Sequence, residues 1–369
     1  MNKQEIPTPA LVVDFDKLKQ NIDEMAQRTK RAGILLRPHV KTHKTPYIAH
    51  LQMKAGAAGI VCAKLGEAEV MAAAGIEDIW ICYPIVGADK IERLLNLARW
   101  VPRISTTVDT RPAARALNDA AIARGQCIPV LVEVEVGYRR TGLEPGACLL
   151  EFLREIVTDM PGLRYEGLMY IAGAIARYLE RDQQLNEELR AAKIVTDSAA
   201  MLRTNGIETP VISGGTTPGA QYMHLIEGLT EYRPGCYVFG DVKYAEVGAL
   251  AFDQIALTIL TTVVSVPSVA EPDHFVVDAG SKMLTHTKAT TIPGFGLFVG
   301  MPSVTVTRAS EEHGIVQLPA GVQPPSIGAK LEIYPTYASD VTNLSDRLWV
   351  VQKDQVIATW DIAARGKSD

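Results

Sequence analysis

Short apolar runs alternate with amphipathic stretches between residues 34 and 241. Eight of the runs are rich in β-branched and aromatic residues and have the length of strands; they are residues 34–37, 59–63, 78–84, 103–109, 128–137, 166–173, 209–215 and 235–241. The segments between them place apolar residues at helical spacing, and the last, ARYLERDQQLNEELRAAKIVTDSAAMLRTNG, predicts a long helix. Eight strands that alternate with helices predict an α/β fold, a (β/α)8 TIM barrel. A doubly wound sheet stays open as an alternative, because one sequence does not reveal the order of the strands.

After about residue 250 the pattern changes to short β-type runs separated by proline and glycine. Examples are IALTILTTVVSVP, HFVVDAG, AKLEIYP and RLWVVQKDQVIATWDIAARG, and no helix of ten residues is expected there. The early run ALVVDFD (10–16) precedes the barrel strands, and we expect it to pair with this C-terminal part. We therefore predict a barrel domain over residues 17–245 and a β-rich domain formed by residues 1–16 and 246–369.

Composition and charge narrow the class of protein. The 369 residues include 37 basic and 42 acidic side chains, a net charge of −5, which lacks the basic excess typical of nucleic-acid binding. The longest apolar stretch, residues 255–266, is interrupted by threonines and is shorter than the ~20 residues that a membrane span needs. The start of the chain does not resemble a secretory signal, and the five cysteines are dispersed without CxxC spacing. We expect a cytoplasmic protein with reduced thiols that binds neither nucleic acid nor a membrane.

Two polar segments follow predicted barrel strands, where active sites of such barrels lie. The first is RPHVKTHK (37–44); a lysine there, desolvated and flanked by cations, has a lowered pKa and can form a Schiff base, or the segment is a basic loop that binds an anion or nothing. The second is SGGTTPG (213–219), whose glycines allow backbone N–H groups to approach a phosphate. A lysine after the first strand and a phosphate loop after the seventh together suggest pyridoxal 5′-phosphate (PLP).

Several motifs occur in an order that resembles a known family. They are TPALVVD, RPHVKTHKTP, EVEVGYRRTG, SGGTTPG, EYRPGCYVFGD, VVDAGSK and the closing ARG. The chain resembles the D-threonine aldolase / D-serine dehydratase family of fold-type III PLP enzymes, which are relatives of alanine racemase. The resemblance implies a PLP-binding barrel followed by a β-domain, a homodimer, and a small amino acid as substrate.

The resemblance also assigns residues to the PLP site. It places the Schiff-base lysine at Lys41, with Lys44 as a second candidate. His39 and His43 flank Lys41 two residues away on either side, so we expect one of them to support the cofactor and the other to be packed. The remaining positions that it suggests for PLP are Arg140 near the ring hydroxyl, Tyr170 in the pocket, Ser213, Gly214, Gly215 and Thr216 in the phosphate loop, and Tyr237 at the phosphate end. The alternative for Tyr170 is ordinary barrel packing.

The chain departs from the family where the family binds a divalent metal. The family's lyases hold the metal with His-x-Cys or His-x-Asp, and the corresponding positions here are Tyr337 and Ser339, which are poor ligands for such an ion. The family histidine after strand six is replaced by Ile171 or a neighbour. Asp340 would reach the metal position only through a one-residue shift. We therefore expect no metal ligands here.

Three functions follow from these observations. The first is a PLP-dependent lyase that cleaves or dehydrates a D-3-hydroxy amino acid. The second is a metal-independent PLP racemase or epimerase that uses Lys41 and Tyr337 as its two bases. The third is a non-catalytic PLP carrier, and the predicted second domain argues against it, because single-domain carriers of this fold lack one.

Overall fold

A computed structural model describes residues 1–270 and 272–369 of the chain. The strands in chain order are β1 (Ala10–Asp14), β2 (Leu35–Leu36), β3 (Ile60–Cys62), β4 (Asp78–Pro84), β5 (Arg103–Val108), β6 (Ile128–Glu133), β7 (Leu163–Met169), β8 (Val211–Gly214), β9 (Glu231–Tyr232), β10 (Leu257–Ser265), β11 (His274–Val277), β12 (Gly296–Phe298), β13 (Arg308–Ala309), β14 (Gly314–Gln317), β15 (Lys330–Pro335), β16 (Arg347–Gln352) and β17 (Gln355–Asp361). The α-helices in chain order are α1 (Phe15–Ala32), α2 (Pro46–Lys54), α3 (Leu65–Ala73), α4 (Ala88–Leu97), α5 (Arg111–Ala123), α6 (Ala147–Asp159), α7 (Arg181–Thr204), α8 (Val242–Glu246) and α9 (Ala338–Leu344).

The chain forms two compact units, each of which combines segments distant in sequence. The barrel unit consists of Glu24–Lys41, Ile48–Gly235 and Lys367–Asp369. The sheet unit consists of Met1–Asp23, Thr42–Tyr47 and Cys236–Gly366. The domain boundaries expected from the sequence stay a prediction.

The barrel unit contains a parallel sheet in the order β2-β9-β8-β7-β6-β5-β4-β3. Its two outer strands are joined beyond the end of β2, where His39 forms a parallel bridge to Val61 and the Val61 N–H donates to the Pro38 carbonyl at 2.9 Å. Eight parallel strands with helices in the connections confirm the predicted α/β barrel fold.

Apolar spacing explains why these segments form these elements. In α4 the buried side chains are Ile91, Leu94, Leu95 and Leu97, which recur at helical spacing on one face. Inside the sheet of the barrel unit, Val61, Trp80, Leu131 and Met169 form a buried cluster contributed by four different strands. Parallel strands that are covered on both faces give such continuous apolar runs, and this is why most barrel strands were visible in the sequence.

The eighth barrel strand was predicted wrongly. The run at residues 235–241 is not a strand but contains a short 3-10 helix, Cys236–Val238, and it belongs to the sheet unit. The eighth strand is β9, which pairs with β2 and β8. Its first residue, Glu231, is a buried charged side chain, so the apolar pattern did not mark this strand.

The sheet unit is built around the first strand of the chain. Its main path runs β13-β14-β11-β10-β1-β16-β17, and β15 pairs with β10 and with β12. β1 lies between β10, which is antiparallel to it, and β16, which is parallel to it. The predicted pairing of residues 10–16 with the C-terminal part is therefore confirmed. β12 and the short helix α9 were not among the predicted segments.

Two features of the described residues bear on the protein's class. None of the helices there is both long and apolar enough to cross a membrane. The cysteines of the same residues form no disulfide, and Cys127 and Cys148 are exposed.

Candidate active site

Lys41 lies in a tight turn immediately after the first barrel strand. The turn, Val40–Thr42, is a 3-10 helix, and the Lys41 N–H donates to Nδ1 of His39 at 3.5 Å. The backbone of His39 is held in turn by a bond from its N–H to the Pro234 carbonyl at 2.9 Å. His39 therefore supports the backbone that presents Lys41 at the carboxyl end of the barrel strands.

Lys44, the second candidate, is engaged elsewhere. Its ammonium donates to the Ala364 carbonyl at 3.4 Å, and its own carbonyl accepts from the Ala364 N–H at 3.0 Å. Both residues belong to the sheet unit. Lys44 thus anchors the last part of the sheet unit.

The Cys82 thiol, at the end of β4, is surrounded by charged side chains from several barrel strands. Burial raises the pKa of Cys82, and so does the carboxylate of Glu133. The nearby charges of Arg233, Lys41 and Arg140 lower it. The structure therefore brings Lys41 and Arg140 together with Arg233 and Glu133 at one end of the barrel.

Arg140 is only loosely held in this group. Its side chain is about half-exposed (48%) and its guanidinium is 3.7 Å from Oε1 of Glu133. It also lies over the ring of Tyr138, at 5.2 Å from the centroid. Burial raises the pKa of Glu133, and the bond from Thr141 Oγ1 at 2.8 Å and the charge of Arg140 oppose that shift. The guanidinium of Arg140 is thus left with room to bind an anionic or hydroxyl group.

Arg233 is a site residue that the sequence reasoning missed. It follows β9, is buried, and donates from Nη2 to the carbonyls of Tyr170 at 2.6 Å and Ser213 at 3.4 Å. Its guanidinium lies over the ring of Trp80, 4.8 Å from the centroid, while its Nε has no partner among the described residues. The quoted motif EYRPGCYVFGD contains this arginine, so the signal was present but was assigned to Tyr237.

Tyr170 ends in a buried hydroxyl that has no hydrogen-bond partner among the described residues. Burial raises the pKa of Tyr170 well above its ordinary value, so the phenol keeps its proton. The ring packs against Gly214, where an added Cβ would lie 2.2 Å from Cε1 of Tyr170. Only glycine therefore fits at residue 214. The buried Tyr170 hydroxyl costs free energy while it lacks a hydrogen-bond partner, unless a ligand supplies one.

The loop 213–219 is shaped by bonds of its own. The Tyr232 hydroxyl donates to the Thr216 carbonyl at 2.9 Å and accepts from the Thr216 N–H at 3.2 Å. Thr216 Oγ1 accepts from the Gly219 N–H at 3.2 Å. Gly215 has a φ of +103°, and a Cβ there would lie 2.2 Å from the Tyr232 ring. These bonds hold the loop in one conformation, which suits the binding of a small anion.

The Ser213 side chain is bonded to another group and is not available to an anion in this loop. Its hydroxyl is fully buried and donates to Oε1 of Glu231 at 2.7 Å. The other oxygen of Glu231 accepts from Nε of Arg37 at 2.5 Å, and Arg37 also pairs with Asp78 at 2.5 Å. The hydroxyl of Ser213 thus belongs to a buried ion-pair network that the sequence did not predict.

Tyr237 and Tyr337 lie in the sheet unit. Tyr237 is buried in the 3-10 helix Cys236–Val238, and Tyr337 directly precedes α9. The ring centroids of Tyr337 and Tyr244 are 6.2 Å apart, and the ammonium of Lys243 is 5.4 Å from the Tyr337 centroid. The neighbouring Cys236 and burial both raise the pKa of Tyr337, so this phenol also stays protonated.

Hydroxyl and thiol groups occupy the segment that the resemblance aligns with the metal ligands. The Ser339 hydroxyl donates to Oγ1 of Thr42 at 3.2 Å and is 3.5 Å from the Cys236 thiol. Asp340 accepts bonds from the hydroxyls of Thr285 and Thr287. Over residues 1–270 and 272–369, no three histidine, cysteine, aspartate or glutamate side chains are grouped so as to hold a metal ion. Ile171, at the position of the family histidine, packs against the apolar cluster of the barrel unit.

Comparison with known proteins gives matches along almost the whole chain. Residues 13–243 match the family model "Alanine racemase, N-terminal domain", and residues 256–351 match "Putative serine dehydratase domain". The chain is 37% identical to the D-threonine aldolase of Arthrobacter sp over 98% of its own length and 94% of that protein. It is 31% identical to the D-threo-3-hydroxyaspartate dehydratase of Delftia sp. (strain HT23), over 96% and 97% of the two chains. Among solved structures, the D-threonine aldolase from Filomicrobium marinum superposes with a TM-score of 0.91 at 32% identity, over 99% and 98% of the two chains.

Proposed function

Because this chain belongs to the family in which an alanine racemase N-terminal domain precedes a putative serine dehydratase domain, we propose that it is a PLP-dependent lyase of D-3-hydroxy amino acids. The relatives named above are an aldolase and a dehydratase, and this chain is likewise an enzyme of the lyase class. The observation that supports PLP most directly is the buried, partnerless hydroxyl of Tyr170 beside Arg233. The proposed substrate is a small amino acid with a hydroxyl on the carbon next to its α-carbon.

The residues of the barrel unit fit PLP. Lys41 is the amine that would hold it covalently, and the protonated phenol of Tyr170 is a hydrogen-bond donor that lacks an acceptor. The 213–219 loop, which the Tyr232 hydroxyl braces, would receive the phosphate through its backbone. When it is bound to an amino acid, PLP withdraws electrons from the α-carbon, so that bonds at that carbon become easier to break.

Arg233 and Arg140 have different roles in this proposal. Arg233 is buried and fixed by the carbonyls of Tyr170 and Ser213, so it supplies a permanent positive charge to the pocket. Arg140 is half-exposed and only loosely paired with Glu133, so it is the arginine that remains able to bind the ring hydroxyl or a substrate carboxylate. Lys41, beyond its role as the covalent anchor, takes or returns the proton of the α-carbon.

Tyr337 is the group that we propose to act on the substrate hydroxyl. The resemblance aligns it with a metal ligand of the family, and its raised pKa keeps it protonated at neutral pH. A protonated phenol can give a proton to a hydroxyl that leaves as water, whereas aldol cleavage must remove the proton of that hydroxyl. Dehydration is thus the lyase reaction that would use Tyr337 as a proton donor.

The alternative is a metal-independent racemase that uses Lys41 and Tyr337 as its two bases. That reaction requires Tyr337 to exchange a proton with the α-carbon, whereas dehydration requires it to give a proton to the substrate hydroxyl. The relatives named above, an aldolase and a dehydratase, support the lyase over the racemase.

The products formed in D₂O distinguish these functions. We expect proton NMR of the PLP-loaded protein with the D isomers of serine, threonine or 3-hydroxyaspartate to show a keto acid plus ammonia, or glycine plus an aldehyde. The L isomers and alanine are the controls and should not change. We expect the same rate with EDTA as with added Mn²⁺. Deuteration of the α-carbon with inversion and no new carbon skeleton would establish the racemase, and bound PLP without turnover would establish the carrier.

Replacing the Tyr337 hydroxyl tests its role separately. We expect Tyr337→Phe to lower kcat by about 10²-fold or more, the usual effect of losing a general acid, with little change in KM. Tyr334→Phe, a tyrosine of the same sheet unit on β15, is the matched control and should keep its activity. A Tyr337→Phe enzyme that retains a third or more of the wild-type kcat would contradict the assignment.

A further inference from the structure

Glu188 is a fully buried carboxyl group on the inner face of α7. Neither of its side-chain oxygens has a hydrogen-bond partner among the described residues. One helical turn earlier, Gln184 is equally buried, but its amide donates to the Tyr178 carbonyl at 2.8 Å and its oxygen accepts from Tyr222 at 3.2 Å. Gln184 therefore has hydrogen-bond partners, whereas Glu188 has none among the described residues. Burying a carboxyl group without such partners costs free energy, which suggests that it has a function.

The carboxyl group lies directly beneath the 213–219 loop. The point where a side chain on Gly219 would begin is 2.5 Å from Oε2 of Glu188 and 2.6 Å from the hydroxyl of Tyr232. That hydroxyl is the one that binds both the N–H and the carbonyl of Thr216. Glu188 thus touches the loop at Gly219 and lies beside the tyrosine that braces it.

Among the described residues, the groups that face Glu188 supply no positive charge to pair with it. On α7 itself the neighbouring charge is the carboxylate of Glu187. From the end of β7 and from β9 the neighbours are the phenols of Tyr170 and Tyr232, whose pKa values are raised mainly by burial and would be raised further by an ionised Glu188. Arg233 acts on Tyr170 and is committed to backbone carbonyls.

We infer that Glu188 is a positioning residue that stays uncharged beneath the 213–219 loop and so allows this loop to accept the phosphate dianion of the cofactor. The inference rests on the proposed binding of PLP. It is supported by the titration of the group, because burial raises the pKa of Glu188 to about 8. Above that pH a negative charge would lie under the loop and repel the phosphate.

The test uses two ligands that differ only in the phosphate, pyridoxamine 5′-phosphate and pyridoxamine, on the cofactor-free full-length protein. Neither ligand reacts with a lysine, so neither forms a covalent bond with Lys41 that could make its binding depend on pH. We expect the Kd of the phosphorylated ligand to rise about tenfold between pH 7 and pH 9.5, as a nearby unscreened charge would produce. The Kd of pyridoxamine should not show this rise.

The variants identify the group responsible. Glu188→Gln and Glu188→Met, both neutral, should bind pyridoxamine 5′-phosphate with no rise over this pH range. Glu187→Gln, the matched change one residue earlier, should keep the rise, with its midpoint moved slightly lower because the charge of Glu187 raises the pKa of Glu188. A rise that persists in both Glu188 variants would overturn the inference. If wild type binds neither ligand nor PLP at any pH, the proposed function itself fails.

Thermal unfolding of the ligand-free protein gives a second readout. The pKa of Glu188 is raised on folding, so the folded state binds the proton more tightly, and stability is lost as the pH rises through about 8. We expect Glu188→Gln to unfold at a higher temperature than wild type at pH 9, and this difference to shrink towards pH 5. Equal unfolding temperatures at pH 9 would also count against an uncharged, unsatisfied Glu188.

Discussion

We expect Lys41→Ala to remove the visible absorbance of a lysine-linked cofactor and to lower kcat by about 10⁴-fold. The variant loses both the amine that would hold PLP covalently and the group that moves the α-proton. Lys41 is half-buried in the turn Val40–Thr42, so removal of its side chain leaves the backbone bond to His39 and the barrel core in place. The measurement is an absorbance spectrum and a turnover assay after reconstitution with PLP.

Two other variants separate this prediction from general damage. Lys44→Met removes the other candidate amine, whose ammonium binds the Ala364 carbonyl, and should keep the absorbance. Lys41→Ala should still bind pyridoxamine 5′-phosphate, which needs no lysine. A normal spectrum in Lys41→Ala, or a lost one in Lys44→Met alone, would move the assignment to Lys44.

We expect removal of the Arg37 side chain to lower the free energy of unfolding more than any other substitution named above. The guanidinium of Arg37 pairs with Glu231 and Asp78, and Glu231 also receives the hydroxyl of Ser213. Arg37→Met leaves the carboxylate of Glu231 buried without its partner, and breaking a buried pair in this way costs about 3–5 kcal/mol. Denaturant unfolding at pH 7 measures the change.

Arg103 provides the matched control, because it approaches the same Asp78 from the surface. Its side chain is 53% exposed and lies 3.6 Å from Oδ2 of Asp78, so Arg103→Met should cost less than about 1 kcal/mol. Arg37→Met combined with Glu231→Met should recover part of the loss, since no buried charge then remains unpaired. If Arg37→Met costs no more than Arg103→Met, the network does not stabilise the barrel.

The periodic parts of the fold could be predicted from the sequence. Runs such as residues 78–84 and helices such as α4 repeat their apolar residues at the spacing of their own secondary structure, so each run contains the information that identifies it. The sequence of β9 does not contain such information. Its Glu231 becomes compatible with a buried strand through the ion pair with Arg37, which is almost two hundred residues away in the chain. The run 235–241 is apolar enough for a strand, yet its backbone turns into a short helix.

Some residues of the candidate site can be identified from the sequence, and others cannot. Lys41 and the glycines of the 213–219 loop stand out locally, since a lysine between histidines and a glycine-rich turn are visible in a few residues. Arg233 and Glu188 do not stand out. An arginine after a strand and a glutamate in a charged helix are ordinary surface residues until the fold buries them against Tyr170 and Gly219.

β1 gives the sheet unit an unusual order of assembly. Val12 pairs with Thr258 on one side and with Trp349 on the other, so both edges of this strand are covered only once β16, which follows much later in the chain, has been synthesised. The long segment Ile48–Gly235 of the barrel unit is continuous and can begin to fold while β16 is still being made. During this interval the apolar segment ALVV presents two unpaired backbone edges, which are templates for aggregation. A growing chain of this protein thus needs protection at β1 until β16 has left the ribosome.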